Sequence, residues 1–340
     1  MSVLTKLEAA KTAKEGGMRT RLIKTDGLVQ QVLDAGFEDQ NAPLVLLIHG
    51  FPELGVSWRA QVEALSQAGY HVAAPDMRGY GGTEKPAGVE AYSILHLVGD
   101  MVDLVRALGK ASCIVVGHDW GAPVAWHCAL LRPDVFTAVA GLSVPFQPRR
   151  HKGPPTAAMA AISKRAGLGD LYISRFQAPD AHLSLDADPA MALRKLFYAY
   201  DGATPADRRS TGFMPQGVDL LDTIDDAATL PPWMSETHFG EYVQAFSAGG
   251  FDAPLNWYRA MDLNWSLTAF VQDQKITPPA LFVVGEGDPV RHYAGGHEAG
   301  LKGWAPGLTR SVVVPGAGHW IQQERSAEVN TLLLEFLAVL

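Results

Sequence analysis

The chain has 340 residues, 47% of them hydrophobic and 19% charged, and a formal net charge of −8. Such a composition can bury a large core in one big domain or two ordinary ones, and the acidic balance disfavours a nucleic-acid partner. No uninterrupted apolar run approaches the roughly 18 residues of a membrane span, no C-x-x-C or H-E-x-x-H cluster suggests a metal, and the only cysteines, Cys113 and Cys128, read as buried apolar side chains rather than a disulfide.

The first segment, Met1 to Lys14, lacks the continuous apolar stretch of a secretory signal and reads as a short surface helix, so a cytoplasmic protein is expected. Arg19–Lys24 and Leu28–Ala35 read as a hairpin around Asp26-Gly27. Leu44-Val-Leu-Leu-Ile48 is wholly apolar, as a central parallel strand requires, and stops at His49-Gly50-Phe51-Pro52-Glu53. Ser57 to Ala68 has helical spacing through Trp58, Val62 and Leu65, and Tyr70–Ala74 is the next strand, ending at Pro75-Asp76-Met77-Arg78-Gly79-Tyr80-Gly81-Gly82. An amphipathic helix over Ile94–Leu108, a strand over Ala111–Val116, a helix from Val124 to Leu131 and a strand over Val135–Leu142 follow. Strand and helix in this alternation mean an α/β fold with a mostly parallel central sheet flanked by helices.

The alternation breaks at Val144-Pro145. From there to about Leu267 the chain offers helix-like stretches, Ala190–Tyr200 and Glu236–Ala248, between Pro- and Gly-rich connections. Strand signals return at Ala280–Val284 and Ser311–Val314, and Glu328–Leu340 closes as a helix. The expected organisation is a core of residues 1–144 and 268–340 interrupted by a helical cap, residues 145–267.

The segment feeding the fourth helix reads Cys113-Ile-Val-Val-Gly117-His118-Asp119-Trp120-Gly121-Ala122. A β-branched run ending in Gly-x-Asp-x-Gly before a helix is the nucleophile-elbow pattern with aspartate in the serine position. The strained turn leaves no room for bulk two residues before or after the nucleophile, hence Gly117 and Gly121. An aspartate has a free pKa of about 3.9, is ionised at neutral pH, and can attack sp³ carbon to form an alkyl ester that must then be hydrolysed. Epoxides and alkyl halides suit it.

Ester hydrolysis needs a base. His319, in Pro315-Gly-Ala-Gly-His319-Trp320, follows the last strand at the sheet edge where catalytic groups gather in open α/β sheets. Its partner is Asp288, in Val284-Gly285-Glu286-Gly287-Asp288, with Glu286 as a rival two residues earlier. Glu53, with His49 four residues earlier, is a candidate for ordering the water; a helix N-terminal carboxylate favoured by the dipole is the alternative for Glu53.

Together, His49-Gly-Phe-Pro52, Asp76-Met-Arg-Gly-Tyr-Gly81, Gly117-His-Asp-Trp-Gly121, Gly285-Glu-Gly-Asp288 and Gly318-His319-Trp320 resemble the soluble-type epoxide hydrolases of the α/β-hydrolase fold. The resemblance covers nearly the whole chain after about residue 20. It implies the chain order nucleophile, acid, histidine, which favours Asp288; the other place that relatives use for the acid is here Leu142-Ser143-Val144-Pro145, without a carboxylate. It implies backbone N–H donors from Phe51 and Trp120 for an oxyanion, and a cis peptide before Pro52. It implies two cap tyrosines that donate to the epoxide oxygen: Tyr258, in Pro254-Leu-Asn-Trp-Tyr258-Arg259, and Tyr172, before Phe176-Gln177.

The expected reaction is therefore conversion of a small-molecule epoxide and water to a vicinal diol, with no cofactor, metal, nucleic acid or membrane, by a monomer or homodimer. Haloalkane dehalogenases share several motifs and are the alternative. They commonly carry Asn where Phe51 stands, and the fluoroacetate dehalogenases carry Arg where Trp120 stands. A non-catalytic ligand-binding member of the fold is the other alternative, though a pure binder has no need of Asp119, His319 and Asp288 together.

Overall fold

The structure, a computed structural model, describes residues 17–340 apart from 168, 228 and 294–296. The helix expected over Met1–Lys14 lies outside the described residues. Among the described residues ten strands occur in chain order: β1 (Arg19–Lys24), β2 (Val29–Ala35), β3 (Leu44–Ile48), β4 (His71–Pro75), β5 (Cys113–His118), β6 (Phe136–Leu142), β7 (Asp170–Leu171), β8 (Phe213–Met214), β9 (Ala280–Gly285) and β10 (Leu308–Val314). Eight of them form one sheet in the order β1-β2-β4-β3-β5-β6-β9-β10. Pairings β1–β2 and β2–β4 are antiparallel and all others in this sheet are parallel.

Every residue of β3, β4 and β9 is buried, which is why these strands read as continuous apolar runs rather than alternating ones. One face packs Val45, Leu47, Val116 and Val283 against Trp58, Val62, Val329 and Phe336, from the helices over residues 59–67 and 326–337 and the turn before the first. The other face packs Leu46, Ile48, Val115 and Phe282 against the helices Ile94–Ala107 and Gly121–Leu131, and its core runs on without a break into the cap residues Leu193, Phe197, Tyr242 and Trp257.

Strand order reverses between β3 and β5. The chain proceeds outward from β3 to β4 on one side and from β5 through β6, β9 and β10 on the other. At such a switch point the loops leaving the two central strands part, and a crevice opens at their carboxyl ends. The loops after β3, β5, β9 and β10 all open there.

Between β6 and β9 the chain leaves the sheet and forms helices over Pro155–Ala166, Pro189–Ala199, Glu236–Gly249, Asp252–Arg259 and Met261–Leu267, with a two-stranded ribbon of β7 and β8. The second and third of these helices match the sequence reading. Asp252–Arg259 contains Pro254 and is nonetheless helical, because Pro254 occupies the first turn, where its missing N–H is no loss. That helix docks the cap: Trp257 Nε1 donates to the Arg78 carbonyl at 3.0 Å, and Gly79, at φ +93°, lies under the Ala253 backbone where a side chain would intrude. Arg78 is fixed by a buried bidentate pair with Asp100, Nε–Oδ2 2.7 Å and Nη2–Oδ1 2.6 Å. Among the described residues no helix is long and apolar enough to cross a membrane, and no group of three or more His, Cys, Asp or Glu side chains could hold a metal ion. Cys113 and Cys128 are both buried and unbridged.

Candidate active site

Asp119 stands between the end of β5 and the helix Gly121–Leu131 with φ +50°, a left-handed conformation costly for a residue with a Cβ. The turn is tight in the way its glycines require: a Cβ on Gly117 would strike the Gly121 backbone, and one on Gly121 would strike the Ile48 carbonyl. Gly50 similarly leaves its Cβ space to the Asp119 side chain. The Phe51 N–H donates to Asp119 Oδ1 at 2.8 Å. The Phe51–Pro52 peptide is cis. Trp120 follows as the residue that opens the helix, where N–H groups are left free of intrahelical partners.

His319 lies in the loop after β10 and presents Nε2 to Asp119 Oδ2 at 3.4 Å. Its Nδ1 faces both carboxylate oxygens of Asp288, at 3.1 and 3.2 Å. Asp288 is fully buried. The rival Glu286 turns elsewhere and accepts the Gly316 N–H at 3.0 Å. Burial alone would depress the imidazole's pKa, but the charges of Asp288 and Asp119 and hydrogen bonds to both outweigh it and hold it well above the ordinary histidine value. Burial would likewise raise the Asp119 carboxyl; the hydrogen bond and charge of His319, with lesser help from His118 and the Phe51 N–H, hold it below the ordinary range.

Ser143 was not legible as a site residue. It caps β6 with φ +70°, donates from Oγ to Asp288 Oδ2 at 2.5 Å and sits 3.1 Å from His319 Nδ1. Its one sequence signal is its position after the sixth strand, where an acid was sought and none found.

Glu53 and His49 part company in the structure. Glu53 is buried beneath the nucleophile, with Oε2 2.7 Å from His118 Nδ1 and Oε1 accepting from Gln322 Nε2 at 2.8 Å and Gln323 Nε2 at 3.0 Å. His118 Nε2 in turn faces the His319 carbonyl oxygen at 2.7 Å. A carboxylate thus reaches from the β3 loop, through the residue before the nucleophile, to the backbone of the histidine. His49 is spent on the loop itself: Nδ1 faces the Gly50 carbonyl oxygen at 2.8 Å and Nε2 accepts the Met77 N–H at 2.9 Å, leaving no nitrogen for water.

Tyr258 and Tyr172 come from different cap helices and meet over Asp119, their ring centroids 6.1 Å apart. Tyr258 also stands edge-on to Trp120 at 5.0 Å and to Phe51 at 5.5 Å. Burial, then a neighbouring phenol, then the Asp119 charge raise both hydroxyls well above the usual tyrosine value, so both are protonated donors at neutral pH. Asp119 and the two tyrosines line two cavities of unequal size. The one on the His319 side is about 30 Å³, with Leu196, Tyr200 and Trp320 among its walls. The one on the Trp120 side is about 300 Å³, walled by side chains such as Trp126, Phe146, Met159, Ile173 and Trp265.

The alpha/beta hydrolase fold profile matches residues 43–326. Epoxide hydrolase A of Mycobacterium tuberculosis is 42% identical over 95% of this chain and 98% of its own length. The chain belongs to the epoxide hydrolases of the α/β-hydrolase fold. Epoxide hydrolase 3 of Siraitia grosvenorii is 38% identical over 93% of this chain and 96% of its own. Among solved structures, an epoxide hydrolase from an endophytic Streptomyces superposes with a TM-score of 0.89 at 40% identity, covering 95% of this chain and 96% of that one. Epoxide hydrolase A from Mycobacterium thermoresistibile gives 0.87 at 41% identity, covering 94% and 98%.

Proposed function

We propose that the chain hydrolyses epoxides to vicinal diols through an alkyl ester on Asp119. The observation that carries the mechanism is the placing of Asp119 between a base, His319 Nε2 at 3.4 Å, and two protonated phenols across the cavity. Asp119 Oδ1 is held by the Phe51 N–H, so Oδ2 attacks the epoxide carbon. The C–O bond breaks, and Tyr172 and Tyr258 hold the oxygen and supply its proton. Asp119 is then a neutral ester. His319 loses one of the two charges that raised its pKa, and its affinity for a proton falls when it must act as base. It takes a proton from water, oriented by Asp288; the hydroxide adds to the ester carbon, and Oδ1 carries the oxyanion against the Phe51 and Trp120 N–H groups. Collapse expels the diol with Oδ2, which takes up the second proton of the added water. Asp119 is left a carboxylate bearing one oxygen from water, His319 is again an imidazolium, and the phenol that protonated the first oxygen regains its proton from the one His319 gave up when the ester formed. Glu53 acts in ordering that water through His118.

On this reading residues 1–144 and 268–340 are the catalytic core and 145–267 the cap. Epoxide and water are the partners required and no step calls for a cofactor. The unbridged thiols of Cys113 and Cys128 suit a reducing cytoplasm, where the protein works as a monomer or homodimer.

A single turnover of styrene oxide in ¹⁸O-labelled water tests the mechanism. Unlabelled diol is expected, its new oxygen coming from Asp119 Oδ2. Labelled diol in the first turnover would mean direct attack by water.

The unequal cavities set the substrate's shape. The small one, about 30 Å³, has room for roughly one water beside His319, while the larger, about 300 Å³, takes an apolar substituent. An epoxide with bulk on one carbon is therefore the better substrate. We expect kcat/KM for styrene oxide to exceed that for trans-stilbene oxide at least about tenfold, a difference of about 1.4 kcal/mol in transition-state binding. Equal values would mean that the small cavity does not limit the substrate.

A further inference from the structure

Glu324 is a half-buried carboxylate that no step of the reaction uses. It ends the short helix Ile321–Glu324, five residues after His319, and points back at the loop that carries the base. Its Oε2 accepts the Gly318 N–H at 2.7 Å and the Gly202 N–H at 3.0 Å, and its Oε1 accepts the Trp320 N–H at 2.8 Å. The residues on either side of His319 are thus tied to one side chain. The N–H of His319 itself donates to the Tyr200 carbonyl at 2.9 Å. Three consecutive N–H groups around the base are therefore satisfied, two by Glu324 and one by the cap.

The third donor to Glu324 also belongs to the cap. Gly202 follows Tyr200 and Asp201 after the helix Pro189–Ala199, and it abuts Gly318 so closely that a Cβ on either would strike the other's backbone. Arg209 grips the outer side of the same turn, donating from Nε to the Thr204 carbonyl at 2.6 Å and from Nη2 to the Gly202 carbonyl. Hydrogen bonds from N–H to a carboxylate are the stronger kind, and here one carboxylate takes three at once from two parts of the fold.

We propose that Glu324 is a positioning residue: it fixes the His319 loop and registers the cap turn at Gly202 against it, so that the base is aimed at the Asp119 ester while the cap is seated. The proposal rests on the two-step reading above. It predicts a selective effect, because Asp119 is held by β5, its following helix and the Phe51 loop, the helix of Tyr258 is seated through Trp257 on the Arg78 carbonyl, and Glu324 hydrogen-bonds to none of these. Ring opening should proceed without Glu324; ester hydrolysis should not.

The test separates the two steps in single turnovers of styrene oxide on the full chain, with quenched samples weighed by mass spectrometry for the alkyl-enzyme. In Glu324→Gln one oxygen becomes an NH2 group that faces an N–H, and the loop shifts. An ångström's misplacement can cost on the order of 10²-fold, so hydrolysis is expected to slow by about 30-fold while alkylation stays within about threefold. Glu324→Asp keeps the carboxyl group on a shorter arm and is expected to fall between wild type and Gln, which makes the comparison independent of whether the Gln variant folds well. Hydrolysis at the wild-type rate in both variants would overturn the proposal. So would an equal fall in both steps together with a lowered thermal midpoint, which would mark Glu324 as a general structural contact. If the wild type itself formed no alkyl-enzyme from any epoxide, the two-step reading would fail instead.

Discussion

Replacing His319 by glutamine is expected to leave a protein that opens an epoxide once and then stops. Ring opening needs the Asp119 carboxylate and the phenols of Tyr172 and Tyr258, none of which depends on an imidazole lone pair. Hydrolysis does depend on it, since among the described residues no other base lies against Asp119 Oδ2 as His319 Nε2 does at 3.4 Å. Steady-state kcat should fall by roughly 10³-fold or more, within the range lost with a general base. The mass of the intact protein should rise by that of one epoxide, carried on the peptide containing Asp119. The charge of His319 has a second consequence. It opposes the burial that would raise the Asp119 carboxyl, so its loss lets that pKa climb. Asp119 attacks as the anion; the acid limb of the pH profile for alkylation should therefore lie at higher pH in the variant than in the wild type. Sustained turnover without any adduct would place the base elsewhere, with Glu53 the next carboxylate to consider.

The parts of this site that could be read from the sequence are those fixed by backbone geometry. Gly117 and Gly121 are required because the elbow brings the backbones of β5, β3 and the following helix into contact, so the pattern names its nucleophile. Asp288 and His319 are marked by the glycine-rich ends of β9 and β10, motif position favours Asp288 over Glu286, and in the structure Glu286 turns away to Gly316. Leu44–Ile48 declared itself a central strand because all five of its residues are apolar and buried. What stayed hidden depends on contacts distant in sequence. Ser143 meets Asp288 across 145 positions, Glu53 meets Gln322 across 269, and Glu324 meets Gly202 across 122. No local period encodes such pairs. The cap hid its chambers for the same reason. Phe197 and Met234 are buried in its core, and Phe197 packs against the cavity-lining Trp320 at 5.2 Å, supporting that wall from behind.

Replacing Asp119 by alanine should remove both steps at once. With no carboxylate there is no ester, and a fall in kcat on the order of 10⁴-fold or more is expected, as for loss of other covalent nucleophiles. The loss should not come from unfolding. The substitution removes a carboxylate that burial disfavours and that His319 keeps ionised, so the opposing terms leave together. The imidazole keeps Asp288 as its partner at 3.1 Å, and its pKa should drop without the second charge. Backbone strain remains, because alanine at φ +50° still carries a Cβ. Asp119→Gly should therefore be the more stable of the two by about 1 kcal/mol while being equally inactive. The order of events can then be read from the double variant. His319→Gln alone should hold an adduct; Asp119→Ala with His319→Gln should hold none and match the single Asp119→Ala protein in rate. An adduct in the double variant would put the covalent bond on some residue other than Asp119. Diol formed at a measurable rate by Asp119→Ala, labelled by ¹⁸O from the first turnover, would show that water guided by His319 opens the ring directly, with the strained elbow serving only to shape the pocket.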